Sequence, residues 1–217
     1  DWLTDAKHAE GFKKVHHLII IPTYKEPLHT LEKGLESCAN QDVGRDKVSV
    51  CLAFEEREGE EGKEKAQVLV KKYKNKFANL LVCFHPDLKG EVKGKSSNQA
   101  YAGHYSRKVL VLQQRRDIDF ITVTSKDADG ILDSKYLSCL SFKFLTSARK
   151  HLSFWQPIVL FYTNIWRVPA PIRVISSLSS VWQTALNSRT DRLINYSIYS
   201  LSLKLLREVG YWDVDVI

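Results

Sequence analysis

Hydrophobic and polar positions follow two alternating rhythms along the first 125 residues. The run Val15-His16-His17-Leu18-Ile19-Ile20-Ile21 is almost continuously apolar and stops at Pro22. Such a run reads as a strand buried on both faces of a parallel sheet. Leu28, Leu31, Leu35 and Cys38 then recur at helical spacing. The rhythms repeat. A strand is predicted over 48–54, and a helix marked by Ala66, Leu69, Val70, Tyr73 and Phe77. A third strand follows over 80–84, a helix over 97–112 and a fourth strand over 118–124. Strand and helix alternating with short connections is the signature of an open α/β sheet with right-handed crossovers. Beyond the fourth strand the pattern changes. Residues 152–162 are apolar, aromatic and read as extended, while 171–186 and 192–209 read as helices. There is no internal repeat and no low-complexity linker.

In open α/β sheets, ligands bind beyond the carboxyl ends of the strands. Those ends read Pro22-Thr23-Tyr24-Lys25-Glu26, Glu55-Glu56, His85-Pro86-Asp87 and Ser125-Lys126-Asp127-Ala128-Asp129-Gly130. The last is the strongest signal. Two carboxylates two residues apart at a strand end can meet one hard cation, and Mg²⁺ sites often combine one or two carboxylates with substrate phosphates. The plain alternative is a polar turn, with Asp and Gly there for its geometry. In the first loop a hydroxyl, a ring and a carboxylate can face a base and ribose; the alternative is a simple strand-to-helix connection, with Pro27 near the helix start. In Gly94-Lys95-Ser96-Ser97-Asn98-Gln99-Ala100, Lys95 can reach a phosphate and Asn98 a base or ribose. Here the alternative is helix capping by Ser96 or Ser97. It is not a P-loop, because Lys89 stands where the first glycine belongs.

Composition narrows the picture. The 217 residues suffice for one domain with a real core, and 44% apolar with 26% charged residues argues against general disorder. Cys38, Cys51, Cys83 and Cys139 form no CxxC or Cys/His cluster and read as reduced core thiols. The net charge of +7 suits a phosphate-bearing partner or an anionic membrane face. The acidic run Glu55 to Glu61 and the basic run Lys71 to Lys76 read as faces of a solvated helix. No apolar run is long enough to span a bilayer, and no signal peptide is seen. The chain starts at Asp1, contains no Met and stops on Val216-Ile217, so both ends are expected to be cuts in a longer protein.

Taken in order, IIPTYKEP, GKSSNQAYA and the strand ending in DADG resemble the family 2 glycosyltransferases of the GT-A fold. The likeness is nearest to membrane-associated processive members, cellulose- or hyaluronan-synthase-like in the broad sense. FWQPIVLFYTNIWRVPAPIR and LLREVGYWDVDVI are similar to that subfamily as well. The resemblance covers roughly residues 15–217 and leaves 1–14 as a lead-in. It implies an open, mostly parallel α/β sheet flanked by helices, and an inverting, metal-dependent transfer of sugar from a nucleotide-diphospho-sugar donor, UDP-linked, to an acceptor hydroxyl. By the same likeness Pro22, Thr23, Tyr24 and Glu26 line the base and ribose. Glu55 or Glu56 stands where the family commonly has Asp, a departure that puts that contact in question. Lys95 and Asn98 match the helix-start contacts. Asp127 and Asp129 match the DxD, with Mg²⁺ or Mn²⁺ on Asp129 and with Asp127 nearer the ribose or a metal-bound water.

The family's general base follows the Gly-Tyr-Trp-Asp segment and is expected beyond Ile217, so Asp213 and Asp215 are not promoted to it. Base catalysis contributes about 10²–10⁴-fold, and the chain is therefore expected to bind donor better than it transfers sugar. Among the aromatics Trp155, Phe161, Tyr162, Trp166, Trp182 and Trp212, core packing is the common fate. Trp155 and Gln156 are the pair assigned to sugar or acceptor. His16 and His17 read as structural, and the sequon at Asn195 as a chance match. The implied partners are the donor, a saccharide or lipid acceptor, and a membrane reached through segments outside this chain, with no nucleic acid. The chain by itself is expected to be soluble, and the whole protein to work at the cytoplasmic face. Two rivals remain. A nucleotidyltransferase usually has a Gly-rich, basic loop after the first strand, which PTYKEP lacks. A non-catalytic nucleotide-sugar or nucleic-acid module is invited by the pI near 9.1, but no nucleic-acid motif appears.

Overall fold

The structure, a computed structural model, describes residues 6–161, 165–189 and 197–215. Helix α1 (Ala6–Lys14) leads into strand β1 (His16–Pro22). Then come α2 (Leu28–Ala39), β2 (Val48–Glu55), α3 (Gly59–Tyr73), β3 (Asn79–His85), α4 (Lys95–Arg107) and β4 (Ile121–Ser125). Helix α4 runs on as a π-helical segment over Lys108–Gln113. The remaining elements are α5 (Tyr136–Thr146), β5 (Phe154–Trp155), α6 (Ala170–Asn187), β6 (Tyr199–Ser202) and α7 (Leu203–Glu208).

The six strands form one sheet in the order β3-β2-β1-β4-β6-β5. The first four are parallel, and β6 and β5 add on antiparallel. Alternate side chains of a strand face opposite ways, and β1 uses both faces. Ile19 and Ile21 enter one core with Leu31, Leu35 and Leu69 of α2 and α3. Leu18 and Ile20 enter the other with Ala100 and Ala102 of α4 and Leu203 of α7. Fully burying one such aliphatic side chain is worth about 1.5–3 kcal/mol, which explains why the strand is apolar along both faces.

Three expectations are corrected. Residues 192–209 do not form one helix: within their described part, Tyr199–Ser202 is a strand and α7 follows it. The hydroxyls decide this. Ser200 bonds Thr124 across the ladder at 2.7 Å, and Ser202 caps α7 by accepting from the Leu205 amide at 3.0 Å. Helix α5, which the apolar pattern did not single out, buries Leu137, Leu140, Ser141 and Phe144 and leaves Cys139 exposed, so that thiol is not a core residue. The acidic run is not wholly solvated either. Glu55 and Glu58 are buried, Glu55 paired with Arg57 and Glu58 with Lys65 at 2.8 Å. Of 152–162, Phe154–Trp155 forms a strand. Tyr162 and Asn195 lie outside the described residues. Among the described residues no helix is long and apolar enough to cross a membrane.

His16 and His17 are structural, as expected. His16 Nε2 meets Ser49 Oγ at 2.8 Å; His17 meets Thr122 and Ser141 hydroxyls at 2.8 and 2.9 Å. Desolvation pushes each ring down to about 3 from 6.5. Above pH 6.5 both rings are neutral, folded or unfolded. Below it the unfolded chain takes up protons that the native rings refuse. Stability should therefore fall as pH drops from 6.5 toward 3, by up to about 1.4 kcal/mol per pH unit for each ring. Urea unfolding between pH 7.5 and 5 should show this slope, and His17→Gln should flatten it.

Candidate functional site

The strand order reverses between β1 and β4. The chain builds β2 and β3 on one side of β1, then returns to lay β4 on the other. Connections depart in opposite directions there and leave a crevice at the carboxyl ends, where open α/β sheets bind ligands. Two segments flank it, Pro22 to Glu26 and Lys126 to Gly130.

The second segment is a tight turn, with the Gly130 amide donating to the Asp127 carbonyl at 3.1 Å. Ala128 is buried in the core beside Leu132 and Ile198 and pins the turn down. The flanking carboxylates remain accessible: Asp127 is half-buried and Asp129 exposed. Asp127 Oδ1 accepts from Lys95 Nζ, and its Oδ2 from Ser197 Oγ. Lys95 and Asp127 are far apart in sequence, and α4 brings them together. A half-exposed pair of this kind contributes under about 1 kcal/mol, so its charge can be redirected cheaply.

Beneath the turn lies a residue that the motif reading passed over. Lys126 has 0% exposure. Its amide continues the ladder by donating to Ile20 O at 3.0 Å, and its ammonium donates to Asp127 O at 3.1 Å. Burial pushes the lysine pKa down; Cys38, Asp129 and Asp127 act against that shift. The signal in the sequence was a lysine wedged between a buried strand and two aspartates. Helix α2 makes room for it with Gly34. A Cβ there would stand 2.6 Å from Ala128 O and 2.8 Å from Lys126 Nζ.

On the other side of the crevice the Ala53 carbonyl, near the end of β2, collects two donors, Thr23 N at 2.9 Å and Asn98 Nδ2 at 2.7 Å. Asn98 is only 1% exposed, so its amide ties α4 to β2 rather than facing the crevice. Thr23 Oγ1 and Asn98 Oδ1 are buried without a hydrogen-bond partner. Ser96 and Ser97 do not cap α4. Its N-cap is Gly94, and Ser97 Oγ donates to Val92 O and Gly94 O at 2.8 and 3.1 Å. Tyr24 is half-buried, and the Arg57 guanidinium lies 3.9 Å from its ring centroid. Arg57 also pairs with Glu55, which holds its pKa above the ordinary value. Arg57 was missed, because nothing in the sequence ties it to Tyr24. Pro22 and Glu26 are half-buried and Glu56 is exposed.

Asp129 lines a cavity of about 600 Å³ together with Tyr136, Pro157, Phe161, Ile172 and Ser176. Trp155 and Gln156 line a neighbouring one of about 380 Å³, which shares Tyr136 and Pro157. Trp155 packs edge-on against Phe144 at 5.9 Å, and Gln156 donates to Ile198 O at 2.7 Å. Among the described residues no three His, Cys, Asp or Glu side chains converge on one point. The turn thus offers two carboxylates and no closed cage. That donor set fits a hard cation that keeps waters and takes further oxygens from phosphates.

No known family model matches the chain, and no curated protein matches it. Solved structures do. One is the mannosyltransferase PcManGT from Pyrobaculum calidifontis in complex with GDP-Man and Mn²⁺, at TM-score 0.57 and 16% identity, over 99% of this chain and 55% of that one. Another is S. aureus TarS in complex with UDP, at TM-score 0.51 and 18% identity, over 91% of this chain and 50% of that one. The chain has the GT-A fold. It spans about half the length of these solved chains. In GT-A terms, the parallel half of the sheet carries the crevice, and the antiparallel β6 carries Tyr199 to Ser202 beside β4.

Gly34→Ala should destabilise the chain by about 1–3 kcal/mol, because neither Ala128 backbone nor Lys126 can retreat without moving the acidic turn. Lys33→Ala, one residue away and exposed, should change stability by less than about 0.5 kcal/mol. Urea midpoints of the two variants test the difference.

Proposed function

We propose that this chain is the donor-binding part of a metal-dependent glycosyltransferase, transferring sugar from a nucleotide diphosphate donor to an acceptor hydroxyl. The observation that carries the reading is the acidic turn. It stands at the carboxyl end of β4, at the strand-order reversal, with one exposed and one half-buried carboxylate. Asp129 and Asp127 would hold Mg²⁺ or Mn²⁺. The ion would supply positive charge to the departing diphosphate. Lys95, now paired with Asp127, adds a second charge on the same side. Across the crevice Tyr24, stiffened by Arg57, offers a flat face for a base, and Pro22, Thr23, Glu26 and Glu55 border it. Asn98 acts from behind, by holding α4 to the end of β2.

The GT-A fold supports this reading, as do the ligands named for the solved relatives, GDP-Man with Mn²⁺ in one and UDP in the other. A UDP-linked hexose donor and inversion at the sugar carbon belong to the same proposal. They rest on the resemblance to family 2, as does its membrane-associated, polysaccharide-forming subfamily. Trp155 and Gln156, next to the cavity that Asp129 reaches, are the proposed sugar or acceptor contacts.

Calorimetry with UDP and Mn²⁺ provides the test, with GDP as the comparison. Binding should require the metal and vanish in EDTA, and Asp129→Ala should abolish it while leaving the thermal midpoint unchanged. Equal affinity with and without EDTA, or an Asp129→Ala chain that still binds, would overturn the assignment.

A further inference from the structure

Helix α6 is turned inside out. Residues three and four apart on a helix share a face. Val174, Ile175, Leu178, Val181 and Trp182 form one such stripe, exposed at 59%, 59%, 63%, 67% and 67%. The buried residues of α6 are polar, Ser180 and Gln183. Ser180 Oγ accepts from the Phe161 amide at 3.2 Å and donates to Ser176 O at 3.0 Å, and Arg173 Nε donates to Val168 O at 3.0 Å. A helix on a protein core shows the reverse arrangement. Trp166, in the turn just before α6, is 83% exposed. An apolar surface this continuous marks an interaction site.

The charge around it chooses the partner. From residue 134 to residue 190 the chain carries seven Lys and Arg and no Asp or Glu. Arg167 and Arg189 stand at the two ends of α6, both exposed. An apolar protein surface would satisfy the stripe but gives no reason for a helix that carries no acid and has an arginine at each end. An anionic bilayer surface satisfies both features. Apolar side chains enter the boundary between headgroups and acyl chains, Trp rings sit at that level, and cations meet lipid phosphates.

We propose that α6 is an interfacial helix that seats its Ile175–Leu178–Trp182 stripe in an anionic lipid surface. It lies in the surface and does not cross it, since no described helix is apolar enough to do so. Its other side, through Ile172 and Ser176, lines the cavity that Asp129 reaches. A seated helix therefore holds that cavity beside the lipid. The inference stands on burial and charge, independently of the donor reading.

Co-sedimentation of the whole chain with vesicles tests it. Phosphatidylcholine vesicles containing about 30 mol% phosphatidylserine should bind at least about tenfold better than pure phosphatidylcholine, and salt raised from about 0.1 to about 0.5 M should weaken binding. The double variant Leu178→Asp/Trp182→Asp should lose at least about tenfold in partitioning. Both residues are exposed, so its thermal midpoint should not move. Arg167→Glu should weaken binding to the anionic vesicles alone. Absence of binding to anionic vesicles, or equal binding by the double variant, would overturn the proposal. So would a dimer without lipid, by sedimentation velocity, that the double variant dissociates, since that assigns the stripe to a second copy of the chain.

Discussion

Strand β1 is hydrogen-bonded in parallel on both sides, to β2 through Ile19↔Val50 and its neighbours and to β4 through Ile19↔Thr124. A parallel strand cannot be reached by a tight hairpin, so each neighbour demands a crossover helix. With β2 and β4 on opposite edges of β1, the crossovers part, and their parting is the crevice. Every group assigned to the proposed donor site stands at that parting or is tied to it, as Asn98 and Lys95 are from α4. The continuous apolar character of residues 18–21 is thus the condition for the site, because only a strand covered on both faces can occupy the middle of such a sheet.

The acidic turn depends on a second constraint, the room beneath it. Two carboxylates close together repel one another, and the chain sets a buried ammonium, Lys126, directly under them. A buried charge is costly unless it is compensated. Here compensation comes from the Asp127 carbonyl and from the fields of Asp127 and Asp129. Gly34 is what allows α2 to close over this arrangement without a clash. A short motif that reads as two ligands is in physical terms a larger unit, made of a strand end, a turn, an internal cation and a gap in a helix.

Beyond β4 the chain follows different rules. Strand β4 shows hydroxyls along one face, and Thr122 and Thr124 bond His17 and Ser200 rather than packing on aliphatic neighbours. Helix α6 hides Ser180 and Gln183 and shows Leu178 and Trp182. The apolar period there still marks a helix, but it no longer says which side faces the protein.

The alternating rhythm of residues 15–125 determined, by itself, the four parallel strands, their intervening helices and the places where chemistry could stand. Burial on two faces leaves a periodic trace in the chain, and strand ends are bounded by residues such as Pro22 and Gly130. The location of Asp127-Ala128-Asp129 was legible for that reason. The partners of those residues were not. Arg57 over Tyr24, Lys95 on Asp127, Gly34 beneath Ala128 and the tie from Asn98 to Ala53 all join segments distant in sequence. Only the crossovers bring them together. The strand at Tyr199–Ser202 was equally hidden, because its hydroxyls find their partners on β4 and within α7. A local pattern records which side chains need cover; the tertiary structure decides what covers them.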